Sequence, residues 1–147
     1  MTNRQIDEYF ANKSGYIGCM SKDEFTTIKN ELNYLVINLE DSDAGNGTHW
    51  VCLLNSNTYC YYFDSFGFPP PENVRQIIKR DLNKRIVYNT SQIQNEKSSL
   101  CGYYCLYFID WMLKKPDDYL SFIMQFDKRD GDKDWKNEQI IGNYFSL

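Results

Sequence analysis

At 147 residues with a net charge of −4, the chain is sized for one domain, residues 1–147, with a substantial core, and its acidic balance argues against a general nucleic-acid footprint. No apolar run approaches the roughly 20 residues of a membrane span, and the first residues lack the apolar stretch of a secretory signal. Twelve Tyr, nine Phe and three Trp make 16% of the chain aromatic, which implies a core and cleft built from rings.

Ile6, Tyr9 and Phe10 recur at helical spacing and predict a helix over about residues 4–12, stopped by Gly15 and Gly18. Ser21-Lys22-Asp23-Glu24 matches a capping box ahead of Phe25, Ile28 and Leu32 and predicts a second short helix. The aliphatic run Tyr34-Leu35-Val36-Ile37-Asn38-Leu39 reads as a buried strand, and the polar, glycine-containing residues 40–47 read as an exposed loop that could rim a cleft. Two strands follow, at residues 48–54 and 59–64. A four-residue hairpin loop at 55–58 places Leu54 opposite Tyr59 and, counting outward, His49 opposite Asp64.

Three prolines at 69–71 end the second strand, and Val74, Ile77, Ile78 and Leu82 define an amphipathic helix from Glu72 to about Lys84. Its basic strip, Arg75, Lys79, Arg80, Lys84 and Arg85, reads as a solvated helix face, with a local nucleic-acid contact as the alternative. A short strand at residues 85–88 leads into the polar stretch 89–99. The run from Cys101 to Leu113 is apolar nearly all round, so it predicts a buried helix opening at Cys101. Residues 119–124 form a further helix, and Ile140, Ile141, Tyr144 and Phe145 dock the tail. The elements add up to an α+β fold, a mixed β-sheet flanked by helices.

Cysteines at 19, 52, 60, 101 and 105 have no framework spacing and are expected to be reduced, as in a reducing compartment. Neither a metal nor another cofactor is expected, since the one histidine lies far in sequence from the close pair Cys101 and Cys105. A thiol at a helix N-terminus meets backbone N–H groups and the positive end of the macrodipole, both of which favour the thiolate. Cys101 is therefore either a nucleophile or a small buried hydrophobe. A nucleophilic cysteine needs a base, and that base needs an orienting group. Only His49 can be the base, and Asp64 faces it.

The runs Gly47-Thr48-His49-Trp50 and Tyr61-Tyr62-Phe63-Asp64-Ser65-Phe66-Gly67, and then Gln94 ahead of Ser98-Ser99-Leu100-Cys101-Gly102, resemble the adenovirus-type maturation cysteine proteases. Those enzymes share their fold core and their His, acid, Gln, Cys order with the proteases that act on SUMO and other ubiquitin-like proteins. The resemblance covers residues 47–113. It implies His49 as base, Asp64 as its orienting acid and Cys101 as nucleophile. The oxyanion hole would comprise Gln94 and the Cys101 backbone N–H, with Gln92 as the alternative glutamine. Gly47, Trp50 and Gly102 would line the substrate cleft, with a core role for Trp50 equally open.

The resemblance further implies a protein substrate, namely a capsid or other structural precursor, and a place in the virion and the infected host cell. The adenovirus enzyme is activated by viral DNA and by a peptide joined through a disulfide to a cysteine upstream of the glutamine. This chain has no cysteine between Asp64 and Gln94, so an activating peptide would lack that attachment, and its acidic charge speaks against DNA. Two readings stand beside the maturation protease: a deconjugating protease for a ubiquitin-like modifier, and a catalytically silent capsid-assembly module.

Overall fold

The computed structural model describes residues 1–40, 49–127 and 136–147. The predicted loop rim at 41–47, with Gly47, lies outside the described residues. Helix α1 (Asn3–Tyr9) opens with a reciprocal capping box between Thr2 and Gln5 and buries Ile6. The chain then enters β1 (Tyr16–Ser21), a strand that the periodicity of the sequence does not announce. Gly15 at φ 92° and Gly18 at φ 136° take backbone conformations that favour glycine, and the pairing register shifts between Tyr16 and Gly18.

The helix expected after Ser21 is not formed. Glu24 does accept from the Ser21 backbone N–H (2.9 Å) and hydroxyl (2.7 Å), yet the turn is not continued. Instead the Asp81 carboxylate accepts from the Ile28 backbone N–H at 2.9 Å and from the Thr27 hydroxyl at 2.8 Å, while Arg80 donates to the Thr26 carbonyl at 2.6 Å. Those side chains take the place of helical hydrogen bonds, and two β-branched threonines in a row ease the exchange.

Strands β2 (Asn33–Asn38), β3 (Trp50–Asn55), β4 (Cys60–Phe63) and β5 (Ile86–Tyr88) complete a five-stranded sheet in the order β1-β2-β3-β4-β5. The two central pairings are antiparallel and the two outer ones parallel. The sheet is mixed, as expected. Helix α2 (Glu72–Asp81) provides the crossover to β5 and packs Val74, Ile77 and Ile78 on one face of the sheet, against Leu35, Ile37, Val51, Leu53, Cys60 and Tyr62. On the other face lie α3 (Cys101–Lys114), α4 (Tyr119–Met124) and α5 (Lys136–Phe145), against Tyr34, Val36, Trp50, Cys52, Tyr61 and Phe63. The three central strands β2, β3 and β4 are therefore buried on both sides, and alternate residues serve alternate cores.

Rings dominate the α3 face. Phe63 stacks on Phe108 at 5.1 Å and meets the edge of Phe122 at 5.3 Å. Asp110, buried on α3, accepts hydrogen bonds from the hydroxyls of Tyr9 and Tyr144, with the Lys13 ammonium 3.8 Å away, and so ties α1, α3 and α5 together. Phe145 packs against Tyr9 and Tyr103, and Tyr144 against Tyr107, which docks the tail as the sequence suggests.

The basic strip on and after α2 is largely engaged with the chain itself. Arg75 donates to the Pro70 carbonyl, Arg80 pairs with Asp81, and Lys84 caps the hairpin turn through Asn55 and the Ser56 carbonyl. No helix among the described residues is long and apolar enough to cross a membrane.

The hairpin register differs from the expected one by two residues. Asn55 pairs with Cys60, Leu54 with Tyr61 and Cys52 with Phe63, so the loop is residues 56–59 rather than 55–58. The Ser56 backbone N–H donates to the Tyr59 carbonyl at 2.9 Å, closing the turn one residue later than the sequence suggests. A shift of two residues keeps every side chain on its face. His49 is consequently level with Phe66, and the two rings lie 4.8 Å apart.

Candidate active site

His49 directly precedes β3 and Asp64 directly follows β4, so both sit at the open end of the hairpin, away from its turn. His49 is fixed by its main chain, because its carbonyl accepts from the Leu39 N–H at 3.1 Å and prolongs the β2–β3 ladder. Its Nε2 lies 2.7 Å from Asp64 Oδ1.

Asp64 is fully buried and heavily constrained. Oδ1 also accepts from the Phe66 backbone N–H at 2.8 Å, an Asx turn, and the Gly67 N–H donates to the Asp64 carbonyl at 2.8 Å. Beyond the end of β5, Asn89 clamps the same residue from outside: it accepts from the Asp64 N–H at 3.2 Å and donates Nδ2 to the Asp64 carbonyl at 2.6 Å. Gly67 sits at φ 80°, and a Cβ there would lie 2.6 Å from the Ser91 carbonyl carbon. Only glycine lets this turn rest on the loop that carries the glutamines.

Cys101 begins α3, and its side of the site is built from backbone. The helix is preceded by Leu100, which offers no side-chain cap to the first N–H groups. Burial opposes ionisation of the thiol. Against it act the hydrogen bond with His49, the Trp50 backbone N–H, the charge of the His49 ring and the Gly102 backbone N–H, and together they pull the Cys101 thiol below its ordinary value. Burial likewise works against a charged imidazole, yet Asp64 and Cys101, by hydrogen bond and charge, raise the His49 pKa from 6.5 to about 9. Asp64 thus holds the ring at Nε2, and the same ring interacts with the Cys101 thiol. Each group favours the charged form of the other, an imidazolium facing a thiolate. Three other cysteines behave in the opposite way, since burial pushes Cys19 and Cys60 up to about 12 and Cys105 well above its ordinary value. No disulfide joins any of the five.

Trp50 shares the α3-side core with Cys101. The residue is 4% exposed, and its main-chain N–H favours the thiolate. Gly102 is buried too, with Met1 against it; a Cβ at Gly102 would come 2.7 Å from Met1 Sδ. It offers the site an N–H rather than an open cleft floor.

Gln94 is 1% exposed, and its amide is held at both ends. Oε1 accepts from the Ser65 hydroxyl at 2.6 Å, while Nε2 donates one hydrogen to the Ser98 carbonyl at 2.8 Å. The Ser65 carbonyl accepts from both the Ile93 and Gln94 N–H groups, at 2.8 and 2.9 Å. The residue after the acid thus orients the glutamine. Gln92 is less buried and donates Nε2 to the Gln94 carbonyl at 3.0 Å, so its amide serves the loop backbone. Ser65 and Phe66 belong to the sequence run that carries the resemblance, but nothing in the sequence marks Asn89 beyond its place after a predicted strand.

No protein-family model matches the sequence, and no curated protein matches it significantly. Solved structures do. The pS273R protease of ASFV aligns with 20% identity and a TM-score of 0.52 over 76% of this chain and 57% of its own, and its selenomethionine form gives 0.51. ChlaDub1 from Chlamydia trachomatis aligns with 17% identity and a TM-score of 0.53, over 78% of this chain and 59% of its own. The fold is a cysteine-protease fold. The chain spans less than two thirds of the length of each of these structures.

Proposed function

We propose that the chain is a cysteine endopeptidase with Cys101 as nucleophile, His49 as general base and acid, and Asp64 as the group that orients and charges His49. The single observation that carries this reading is the arrangement of His49, with Asp64 Oδ1 2.7 Å from Nε2 and the same ring interacting with the thiol of an uncapped helix N-terminus. In the proposed cycle the Cys101 thiolate attacks a peptide carbonyl, and the oxyanion is stabilised by the Cys101 backbone N–H and the second Nε2 hydrogen of Gln94. His49 gives its proton to the leaving amine and then takes one from the water that hydrolyses the thioester.

The substrate we infer is a capsid or other structural precursor, cleaved in the infected cell or the virion. Support comes from the adenovirus-type motif order and from the fold shared with the pS273R protease. A deconjugating protease for a ubiquitin-like modifier is the second reading, supported by the same fold family and by an equal likeness to ChlaDub1. The test is hydrolysis of a degenerate peptide library under reducing conditions, with no added peptide or DNA and with new N-termini read by mass spectrometry. Cleavage by the wild type that is absent in both Cys101→Ala and His49→Ala supports the reading, and a wild type indistinguishable from Cys101→Ala refutes it. The precursor and a modifier conjugate, offered separately, then distinguish the two substrate classes.

A further inference from the structure

Helix α5 buries three residues, and two of them, Asn137 and Glu138, are polar. Buried amides and carboxylates persist only where their hydrogen bonds are made, so their partners show what the helix end is for. The partners flank Gln94. Asn137 Nδ2 donates to the Ile93 carbonyl at 2.8 Å, and the Asn95 backbone N–H donates to Glu138 Oε1 at 2.8 Å. The same Oε1 accepts from the Tyr104 hydroxyl at 2.9 Å, and Tyr104 stands on α3 three residues after Cys101. Asn137 is anchored in turn, exchanging hydrogen bonds of 2.9 Å with the Asp127 main chain.

We propose that Glu138, from the far end of the chain, is a positioning residue that sets the Gln94 amide relative to Cys101. The inference rests on the reading of Gln94 as the oxyanion donor. A single carboxylate oxygen bonded to both the Gln94 loop and α3 fixes their separation. Apolar packing could anchor the tail equally well, but it has no such directionality. Displacing a donor by 1 Å is enough to cost on the order of 10²-fold in rate, so a fixed separation has direct kinetic value.

The experiment uses the full chain and a peptide cleaved in the library screen, and compares kcat, KM and the rate of Cys101 alkylation by iodoacetamide. Glu138→Ala lowers kcat by about 10-fold or more, with KM and alkylation unchanged, because alkylation forms no oxyanion. Glu138→Gln keeps an oxygen that accepts both bonds and stays within about threefold of wild type. Combining Glu138→Ala with Gln94→Ala gives an enzyme no slower than Gln94→Ala alone, since the first change acts through the second residue. Tyr104→Phe retains the buried ring, removes the α3 arm and follows the same non-additive rule, so it decides the matter if Glu138→Ala does not fold.

The proposal is overturned by a silent Glu138→Ala beside a slow Gln94→Ala, by alkylation falling in step with kcat, or by fully multiplicative effects. A silent Gln94→Ala instead overturns the reading of the oxyanion hole itself, and the positioning role with it.

Discussion

Replacing Asp64 with Asn isolates the charge of the acid from its shape. The amide oxygen can take the place of Oδ1 and keep the bonds to His49 Nε2 and the Phe66 N–H, while the amide nitrogen falls at Oδ2, a buried atom without a partner. What is lost is the negative charge beside the ring. The rise of His49 from 6.5 to about 9 corresponds to about 3 kcal/mol in favour of the imidazolium, shared between Asp64 and the Cys101 thiolate and net of a burial penalty that works the other way. Asp64 supplies part of that, so its neutralisation is expected to lower the population of the ion pair by roughly 10-fold.

The sign follows from the two groups. His49 is charged below its pKa and the thiol ionises above its own, so the reactive pair exists in the window between them. Asp64→Asn lowers the upper edge of that window, and loss of the imidazolium raises the lower one. Brief iodoacetamide treatment near pH 6, with each cysteine quantified by mass spectrometry, should show Cys101 labelled first in the wild type and about 10-fold more slowly in Asp64→Asn. The deficit should shrink as the pH rises toward the ordinary thiol range. Wild-type rate and pH profile in Asp64→Asn would refute the electrostatic role of the acid, and preferential labelling of Cys19, Cys60 or Cys105 would refute the thiolate.

Gln94→Ala should reduce peptide turnover by roughly 10²-fold while leaving Cys101 alkylation intact, whereas Gln92→Ala should be mild; the reverse ranking in steady-state kinetics would move the oxyanion donor by two residues. Gly67→Ala should destabilise the fold by about 2 kcal/mol or more, because it adds a clash with Ser91 to an unfavourable φ, and the midpoint of urea unfolding measures this. Asp110→Ala leaves two tyrosine hydroxyls without their acceptor and should cost about 2 kcal/mol or more in the same measurement, with Cys101 alkylation of the folded protein unchanged.

The parts of the molecule that the sequence announces are those with a period or a local rule. The buried strand at Tyr34 to Asn38, the α2 stripe and the apolar run after Cys101 all carry their own signal. The sequence brings His49 and Asp64 together through a register that is off by two residues, and the meeting survives because such a shift preserves the face. Elsewhere local rules mislead. The glycines at 15 and 18 mark a bulged edge strand and not merely the end of a helix, and the Ser21–Glu24 bonds form without the helix because Asp81 and Arg80, more than 50 residues away, compete for the following backbone. The site's supporting atoms have no local signature at all: Asn89 reaches Asp64 across 25 residues and Glu138 reaches Asn95 across 43. Hydrogen bonds between segments distant in sequence are written in tertiary geometry, which periodicity does not encode.

Leu100 stands where helices ordinarily place Ser, Thr, Asp or Asn, a choice that forgoes about 1 kcal/mol of capping. Any search for a hardier version of this protein, by consensus or by laboratory selection for heat resistance, would therefore be drawn to that position. An aspartate there would satisfy the first N–H groups of α3 and place an anion beside the thiol, so the helix would gain what the thiolate loses. Robustness and reactivity compete for the same few amide hydrogens, and the leucine keeps them for the sulfur.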